Sequence, residues 1–202
     1  MYIPKYFEQN DKAKTIAFMQ TYNFAILASV KNTVPVATHL PFVIEERENN
    51  IVLLSHMSKA NEQWKAFSEN NVLVIFSEPH AYISPKLYEK KQNVPTWNYI
   101  SVHAYGKINL LNTDEQKLDV LHKQMQFFEA DYIEQFNSLD KKYIEGLLKG
   151  IVAFEIIVSE LQSKEKLNQN KSEADRLNVK KHLEESGDDM KIALGKRMPG
   201  QG

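Results

Sequence analysis

Residues 79–106 read PHAYISPKLYEKKQNVPTWNYISVHAYG, and the predicted architecture follows from this stretch. Its last part, from Trp97 to Gly106, predicts a β-strand in which successive side chains point to opposite faces. One face then carries aliphatic side chains, which is typical of a core, while the other carries Trp, Tyr, Ser and His. Flat side chains with hydrogen-bonding ends suit a heteroaromatic ligand or a partner chain. The stretch predicts either such a binding face or the outer side of a half-buried strand.

The composition is that of a globular protein with one domain. The 202 residues are 43% hydrophobic and 25% charged, which is enough apolar material for a sizeable core. The formal net charge of -1 argues against a dominant basic surface and so against strong non-specific binding to DNA. The chain has no cysteine, which excludes disulfides and thiolate metal sites and fits a reducing cytoplasm. No apolar run reaches the roughly 18 residues of a membrane span, so we expect a cytoplasmic protein without a membrane partner.

Strand patterns fill the middle of the chain and helical patterns flank them. The predicted strands are 24–30, 34–44, 51–55, 72–76, 80–84, 97–111 and 151–158. The predicted helices are 10–22, 58–69, 113–129, 139–148 and 172–185. Because strands and helices do not alternate regularly, the pattern predicts an α+β domain around an antiparallel barrel, whose first three strands form a meander. The domain is expected to cover 1–187, with 188–202 as a mobile tail.

Three segments carry candidate binding residues. In SHMSKANEQW at 55–64, Ser58, Lys59 and Asn61 lie where a strand is predicted to end and a helix to begin, a place that suits a phosphate. The alternative is that Ser58 only caps the helix and Lys59 is a solvated charge. In THLP at 38–41, Pro41 cannot donate to a sheet ladder and marks an edge or a bulge.

The third segment is SKEKLNQNK, which ends at Lys171. Its Lys164, Lys166, Asn168 and Gln169 could meet an anionic ligand or could simply face solvent. The six histidines show no zinc-binding spacing, and no G-x-S-x-G, P-loop or G-x-G-x-x-G motif is present. The sequence therefore predicts no metal site and assigns no catalytic residue.

Several segments together resemble a known family. They are MYIPKYF at 1–7, THLPF at 38–42, SHMSKANEQW at 55–64, PHAYISP at 79–85, VPTWNYISVHAYG at 94–106 and KLNQNKSEADR at 166–176. They resemble the PaiB family over residues 1 to about 185. Members are FMN-binding split-barrel relatives of pyridoxamine phosphate oxidase, described as negative transcriptional regulators of sporulation and protease genes. The resemblance implies an antiparallel split β-barrel with flanking helices, and a homodimer with flavin sites at its interface.

The resemblance also implies site residues. His39 and Pro41 would lie along the edge of the isoalloxazine ring. The phosphate end would be held by His56, Ser58, Lys59 and Asn61. The central strand would supply Trp97, Asn98, Tyr99 and His103. The site would be closed by Lys166, Asn168 and Gln169.

Some positions depart from the family pattern. Lysine stands at Lys59 and Lys171 where arginine is usual, and it lacks the planar fork that grips a phosphate with two bonds. Three functions stay open at this point. The first is a flavin-binding regulator, without a recognisable DNA-binding motif. The second is a flavin-dependent oxidoreductase acting on a small molecule, and the third is a haem-binding split barrel with a histidine ligand.

Overall fold

The computed structural model describes residues 1–67 and 71–200. The seven strands are β1 (Phe24–Lys31), β2 (Val34–Pro41), β3 (Val43–Arg47), β4 (Asn50–Ser58), β5 (Val72–Ile83), β6 (Thr96–Leu111) and β7 (Ile151–Lys166). The α-helices are α1 (Lys12–Thr21), α2 (Asp114–Phe128), α3 (Tyr132–Asn137), α4 (Lys141–Lys149), α5 (Glu173–Glu184) and α6 (Asp189–Arg197). Short 3-10 helices span Lys5–Phe7, Glu62–Ala66 and Pro85–Leu87. None of the described helices is long and apolar enough to cross a membrane.

The strands form one sheet in the order β2-β1-β5-β6-β7-β4-β3. Antiparallel registers join β1 to β2, β1 to β5, β3 to β4 and β4 to β7. The predicted meander of the first three strands is wrong, because β2 and β3 stand at opposite ends of this order. Each of them pairs with its hairpin partner only, across tight turns in which Asn32, Thr33, Glu48 and Asn49 have positive φ.

The predicted strand 34–44 is interrupted at Phe42. Its backbone N–H donates to the carbonyl oxygen of Asn23 at 2.9 Å, which continues the β1–β2 register by one residue beyond the end of β2. The preceding Pro41 ends β2, as a residue without an N–H should. The side chain of Phe42 is fully buried against Phe76 and Phe154, with ring centroids 6.0 and 6.4 Å apart. The break between β2 and β3 therefore places a large aromatic side chain in the core.

The described residues group into two compact units. Unit 2 comprises Ile16–Phe76 and His103–Leu161. Its core contains the three phenylalanines just named and the fully buried Leu27 and Leu53. Gly106 is required in it, since a Cβ there would clash with the carbonyl oxygen of Ile157. A capping box formed by Thr113 and Gln116 opens α2, the helix predicted over 113–129, and Asp140 caps α4.

Unit 1 comprises Met1–Thr15, Ser77–Val102 and Gln162–Gly202. A mobile tail was expected for 188–202, but the structure has the helix α6 over Asp189–Arg197. Residues 201–202 lie outside the described residues. Asp188 caps α6 by accepting from two backbone N–H groups, and the side chain of Leu194 is fully buried. Lys180 on α5 donates to the carbonyl oxygens of Gly195 and Met198 at 3.2 and 3.1 Å. A lysine bound to the last carbonyls of a helix stabilises its C-terminus.

The helix predicted over 58–69 is wrong in its start and its type. Ser58 is the last residue of β4, and only the 3-10 helix Glu62–Ala66 follows; the predicted end at Glu69 lies outside the described residues. Asn61 caps this helix by accepting from the N–H of Gln63 at 3.1 Å. The predicted strands 72–76 and 80–84 form a single strand, β5. The last predicted strand, 151–158, is β7 and continues beyond its predicted end to Lys166.

Candidate functional site

The first candidate cluster, in unit 2, is built around the carbonyl oxygen of Pro41. It accepts from the hydroxyl of Ser55 at 2.7 Å and from Nε2 of Gln124 at 3.4 Å. Because a carbonyl can only accept, the amide nitrogen of Gln124 faces Pro41 and its Oε1 faces His56. Oε1 lies 2.7 Å from Nδ1 of His56, so Nδ1 carries the proton and donates. The remaining ring nitrogen, Nε2, is then an acceptor.

His56 is neutral near pH 7. Burial lowers the pKa of His56 below its ordinary value, and the hydrogen bond to Gln124 offsets part of this effect. The imidazole lines two neighbouring cavities. The first, of about 540 Å³, is lined by Leu40, Pro41, His56, Met57, Ser58, Gly146, Leu147, Gly150 and Ile151. The second, of about 400 Å³, lies among α2, α3 and α4. The structure thus brings Pro41, His56 and Ser58 of the predicted site into one lining.

The turn after β4 holds the next predicted residues. Ser58 and Lys59 are both exposed, and the ammonium of Lys59 has no ion-pair partner within 1–67 and 71–200. The backbone of Lys59 is fixed, because its N–H donates to Gly150 at 2.8 Å and its carbonyl oxygen accepts from Trp64 at 3.1 Å. This arrangement presents a hydroxyl and a cation from a well-supported turn.

Asn61 is committed to the fold. Besides capping the 3-10 helix, its amide donates to Oγ1 of Thr38 at 2.9 Å. Thr38 in turn donates to Oε1 of the buried Gln63 at 2.5 Å, whose Nε2 donates to the carbonyl oxygen of Leu27 at 3.1 Å. The side chain of Asn61 thereby ties the 3-10 helix to β2.

Two predicted histidines of unit 2 lie apart from this cavity lining. His39 is exposed on β2 and stacks on the exposed ring of Phe24, with centroids 6.1 Å apart. His103 is half-buried on β6, and its Nδ1 has no hydrogen-bond partner among the described residues. Burial lowers the pKa of His103. The unpaired Nδ1 atom is itself buried, so this nitrogen does not face an open surface.

The second candidate cluster is an aromatic face in unit 1. Trp97 and Tyr82 are each 52% exposed, and the ring of Trp97 lies 5.4 Å from that of His80 and 6.3 Å from that of Tyr82. Nearby on β6, the ring of Tyr99 has the ammonium of Lys164 5.1 Å above it. Large exposed aromatic side chains in contact with one another mark an interaction surface. Trp97, Tyr82 and His80 are called the aromatic face below.

The structure separates Asn98 from the aromatic face. Asn98 is fully buried, on the face of β6 that it shares with Ile100 and Val102, as the alternation of a strand requires. Neither polar atom of its side chain has a partner among the described residues.

The residues predicted to close the site lie at the end of β7 and directly after it, and all three are engaged in the fold. Lys166 donates to Oγ1 of Thr96. The buried Asn168 donates to the hydroxyl of Tyr88 at 3.2 Å, and Gln169 donates to the carbonyl oxygen of Glu165 at 2.5 Å. These bonds hold the connection from β7 to α5.

Sequence reasoning missed several residues that the structure places in these clusters. Gln124 lies on a helix far along the chain from His56, and no local pattern pairs them. Lys164 was assigned only to a charge run, yet it is 7% exposed and its ammonium lies between the rings of Tyr2 and Tyr99. His80 and Tyr82 are two residues apart on β5 and so point to the same face. This spacing could have identified them from the sequence. No cluster of three metal-ligating side chains occurs in the parts of the chain that the structure describes.

The two half-buried histidines predict acid sensitivity. The pKa values of His56 and His103 are lower in the folded state than in the unfolded chain. As the pH falls through about 6.5, the ordinary pKa of histidine, the unfolded chain therefore binds more protons than the folded chain. The free energy of unfolding should therefore decrease from about pH 7.5 to about pH 5.5, and His56→Gln should make this decrease smaller. Urea denaturation at a series of pH values measures both. An unchanged pH dependence in His56→Gln would contradict the assignment.

Comparisons with known proteins bear on the whole chain. Residues 1–160 match the model of a family described as "Putative FMN-binding domain". The chain is 37% identical, over 187 residues, to Protease synthase and sporulation protein PAI 2 of Bacillus subtilis, covering 91% of this chain and 89% of that protein. The resemblance to the PaiB family is therefore confirmed.

Solved structures show the fold. The flavocytochrome Anf3 from Azotobacter vinelandii is 18% identical with a TM-score of 0.66, covering 87% of this chain and 78% of its own. The FAD and haem binding protein from Mycobacterium smegmatis is 15% identical with a TM-score of 0.63, covering 84% and 78%. The predicted antiparallel split barrel with flanking helices is confirmed. The chain belongs to the FMN-binding domain family and is a homologue of PaiB.

Proposed function

We propose that the protein binds FMN with the phosphate end at the turn after β4. The observation that carries this proposal is the cavity of about 540 Å³ whose lining unites Pro41, His56 and Ser58, in a chain of the FMN-binding domain family. A cavity of this size is in the usual range for small-molecule and cofactor sites. Lys59 follows Ser58 directly, with its ammonium exposed.

The donor set of this turn fits a phosphate. The hydroxyl of Ser58 and the ammonium of Lys59 both donate hydrogen bonds, and a phosphate monoester only accepts them at neutral pH. His56 suits the phosphate less well, because its Nε2 also accepts. Ser58 and Lys59 therefore bind the phosphate, and His56 only lines the cavity. When bound, FMN would supply hydride or electron transfer; the side chains named here would bind and orient it.

The aromatic face supports a homodimer. Trp97 and Tyr82, both half-exposed and in edge contact, are residue types enriched at protein interfaces. We propose that this face is covered by a partner chain or by the flat ring of a ligand bound at the interface. The sedimentation mass and the FMN affinity of a Trp97 variant distinguish a covering partner chain from a covering ligand.

The proposed cellular role is regulation of gene expression without direct contact to promoter DNA. The Bacillus relative is named for protease synthesis and sporulation, and the formal net charge of -1 gives no dominant basic surface for the DNA backbone. Regulation would then pass through a metabolite or a protein partner. The cytoplasmic location stays a prediction from the absence of cysteine, and the oxidoreductase alternative stays open.

Replacing Lys59 tests the phosphate site. Lys59→Ala should weaken FMN binding by about tenfold, because one charged hydrogen bond is lost, and should leave riboflavin, which has no phosphate, unaffected. Lys107→Ala, which removes an exposed lysine of the same unit, serves as the matched control and should bind both flavins as the unmodified protein does. Fluorescence titration with each flavin gives the dissociation constants. Equal losses for FMN and riboflavin would place the phosphate elsewhere.

Replacing Trp97 tests the dimer. Trp97→Lys should convert a dimer into a monomer in sedimentation equilibrium, because a charge placed at the centre of an apolar contact must be desolvated. Phe127→Lys, a similar change at an exposed aromatic residue outside the aromatic face, should keep the mass of the unmodified protein. A dimer that survives Trp97→Lys but loses FMN affinity would show that the ligand, not the partner, covers this face.

Direct binding to DNA is tested with promoter fragments of the protein's own regulated genes. Purified protein, with and without FMN, should show no sequence-specific retention at any salt concentration, and any weak retention should disappear as salt rises, as expected of purely electrostatic contacts. Specific retention that persists at physiological salt would overturn the indirect mechanism.

A further inference from the structure

A second cavity adjoins the first within unit 2 and shares His56, Leu147 and Ile151 with it. It has a volume of about 400 Å³ and will be called the helical groove, since α2, α3 and α4 supply most of its wall. Its lining consists of His56, Leu121, Gln124, Met125, Phe128, Glu129, Tyr132, Phe136, Leu147 and Ile151. Six of these ten side chains are leucine, isoleucine, methionine or phenylalanine, so the groove is mainly apolar with a few polar groups, as small-molecule sites are. The FMN proposal does not use it.

The polar side chains of the helical groove favour a ligand that donates a hydrogen bond. Pro41 orients Gln124, and Gln124 holds the proton of His56 on Nδ1. Nε2 of His56 is left with a lone pair, and no hydrogen bond from a described residue reaches it. An acceptor on an apolar wall gains most from a ligand that donates a hydrogen bond, because a ligand without a donor would desolvate it without compensation.

Charge in the helical groove selects against anions. Glu129, directly after α2, is its one acidic lining residue, and no lysine or arginine is in the lining. A carboxylate or phosphate entering the groove would meet the carboxylate of Glu129 and the lone pair of His56. Both interactions are repulsive, so the groove does not suit the phosphate end of a nucleotide.

We propose that the helical groove binds a small, flat, mainly apolar molecule that carries a hydroxyl or N–H group, which it donates to Nε2 of His56. The rings of Phe128, Tyr132 and Phe136 supply the walls for a flat body. The site adjoins the proposed FMN site, since His56, Leu147 and Ile151 line both cavities, but the contacts that support it do not depend on FMN binding. Such a molecule is the kind of uncharged aromatic metabolite that could act as effector or as reaction partner.

Three probes with one ring system test the chemistry of this site. They are 2-naphthol, which has a donor; 2-methoxynaphthalene, which has none; and 2-naphthoate, which is anionic at neutral pH. We expect saturable binding of 2-naphthol to the full-length protein, affinity roughly 2- to 10-fold lower for the methoxy compound from the loss of one hydrogen bond, and no saturable binding of the naphthoate. Naphthalene fluorescence and equilibrium dialysis measure these affinities.

Two variants with a matched control locate the binding. Phe128→Ala removes a half-exposed wall of the groove and should weaken 2-naphthol binding, whereas Phe24→Ala, at an exposed phenylalanine of β1 outside the lining, should not. His56→Leu should abolish the preference for 2-naphthol over its methyl ether while retaining apolar binding. Because the probe series is also measured on the unmodified protein, the test stands even where a variant fails to fold.

The outcomes separate this proposal from the flavin proposal. Equal affinity for all three probes, or no saturation by 2-naphthol, overturns the helical groove whatever the result with FMN. Unchanged FMN affinity in Phe128→Ala, together with lost 2-naphthol binding, supports two sites. A dimer that dissociates in Phe128→Ala, with no 2-naphthol binding to the unmodified protein, would overturn the proposal and show that a second copy of the chain covers the groove.

Discussion

The carbonyl oxygen of Pro41 fixes the chemistry of unit 2. Because proline ends β2, this oxygen is not used in a further ladder and instead accepts from Ser55 on β4 and Gln124 on α2. Each donor holds a different element to the end of β2. The bond to Gln124 has a further effect, since it determines which end of the amide meets His56. The tautomer of the His56 imidazole is thus determined by a backbone group two contacts away.

A second polar cluster explains why the chain after β4 does not form the predicted helix. The carboxamide of Gln63 is buried and donates to the carbonyl oxygen of Leu27 and to the hydroxyl of Ser29, at 3.1 and 3.0 Å. These contacts require Gln63 to enter the space between the first strands soon after β4 ends. Tertiary hydrogen bonds therefore override a helical pattern that looked regular in sequence.

The parts of the fold that depend on neighbouring residues could be predicted from the sequence. The short connection between the first two strands, the start of the helix predicted from Thr113, and the alternation of side chains along β6 were all confirmed. The parts that depend on distant residues could not. Nothing local places β2 and β3 at opposite ends of the strand order, and nothing local pairs His56 with Gln124. The same limit applies to binding roles: Asn61 and Asn168 carry polar side chains of the right type, but the structure uses both for internal hydrogen bonds.

Asn98 shows how the alternation of β6 constrains any ligand. Its side chain and that of Trp97 leave the strand on opposite faces, so a flat ring lying on Trp97 cannot also reach the amide of Asn98. Burying an unpaired amide costs about 1–3 kcal/mol, and both polar atoms of Asn98 lack a partner within 1–67 and 71–200. The buried Ile100, Val102 and Ala104 of the same face can offset that cost through apolar burial, since a buried aliphatic side chain contributes about 1.5–3 kcal/mol. Trp97 and Asn98, adjacent in the sequence, therefore lie in two different environments. Trp97 lies on an exposed face, and Asn98 lies in a core that tolerates a polar group.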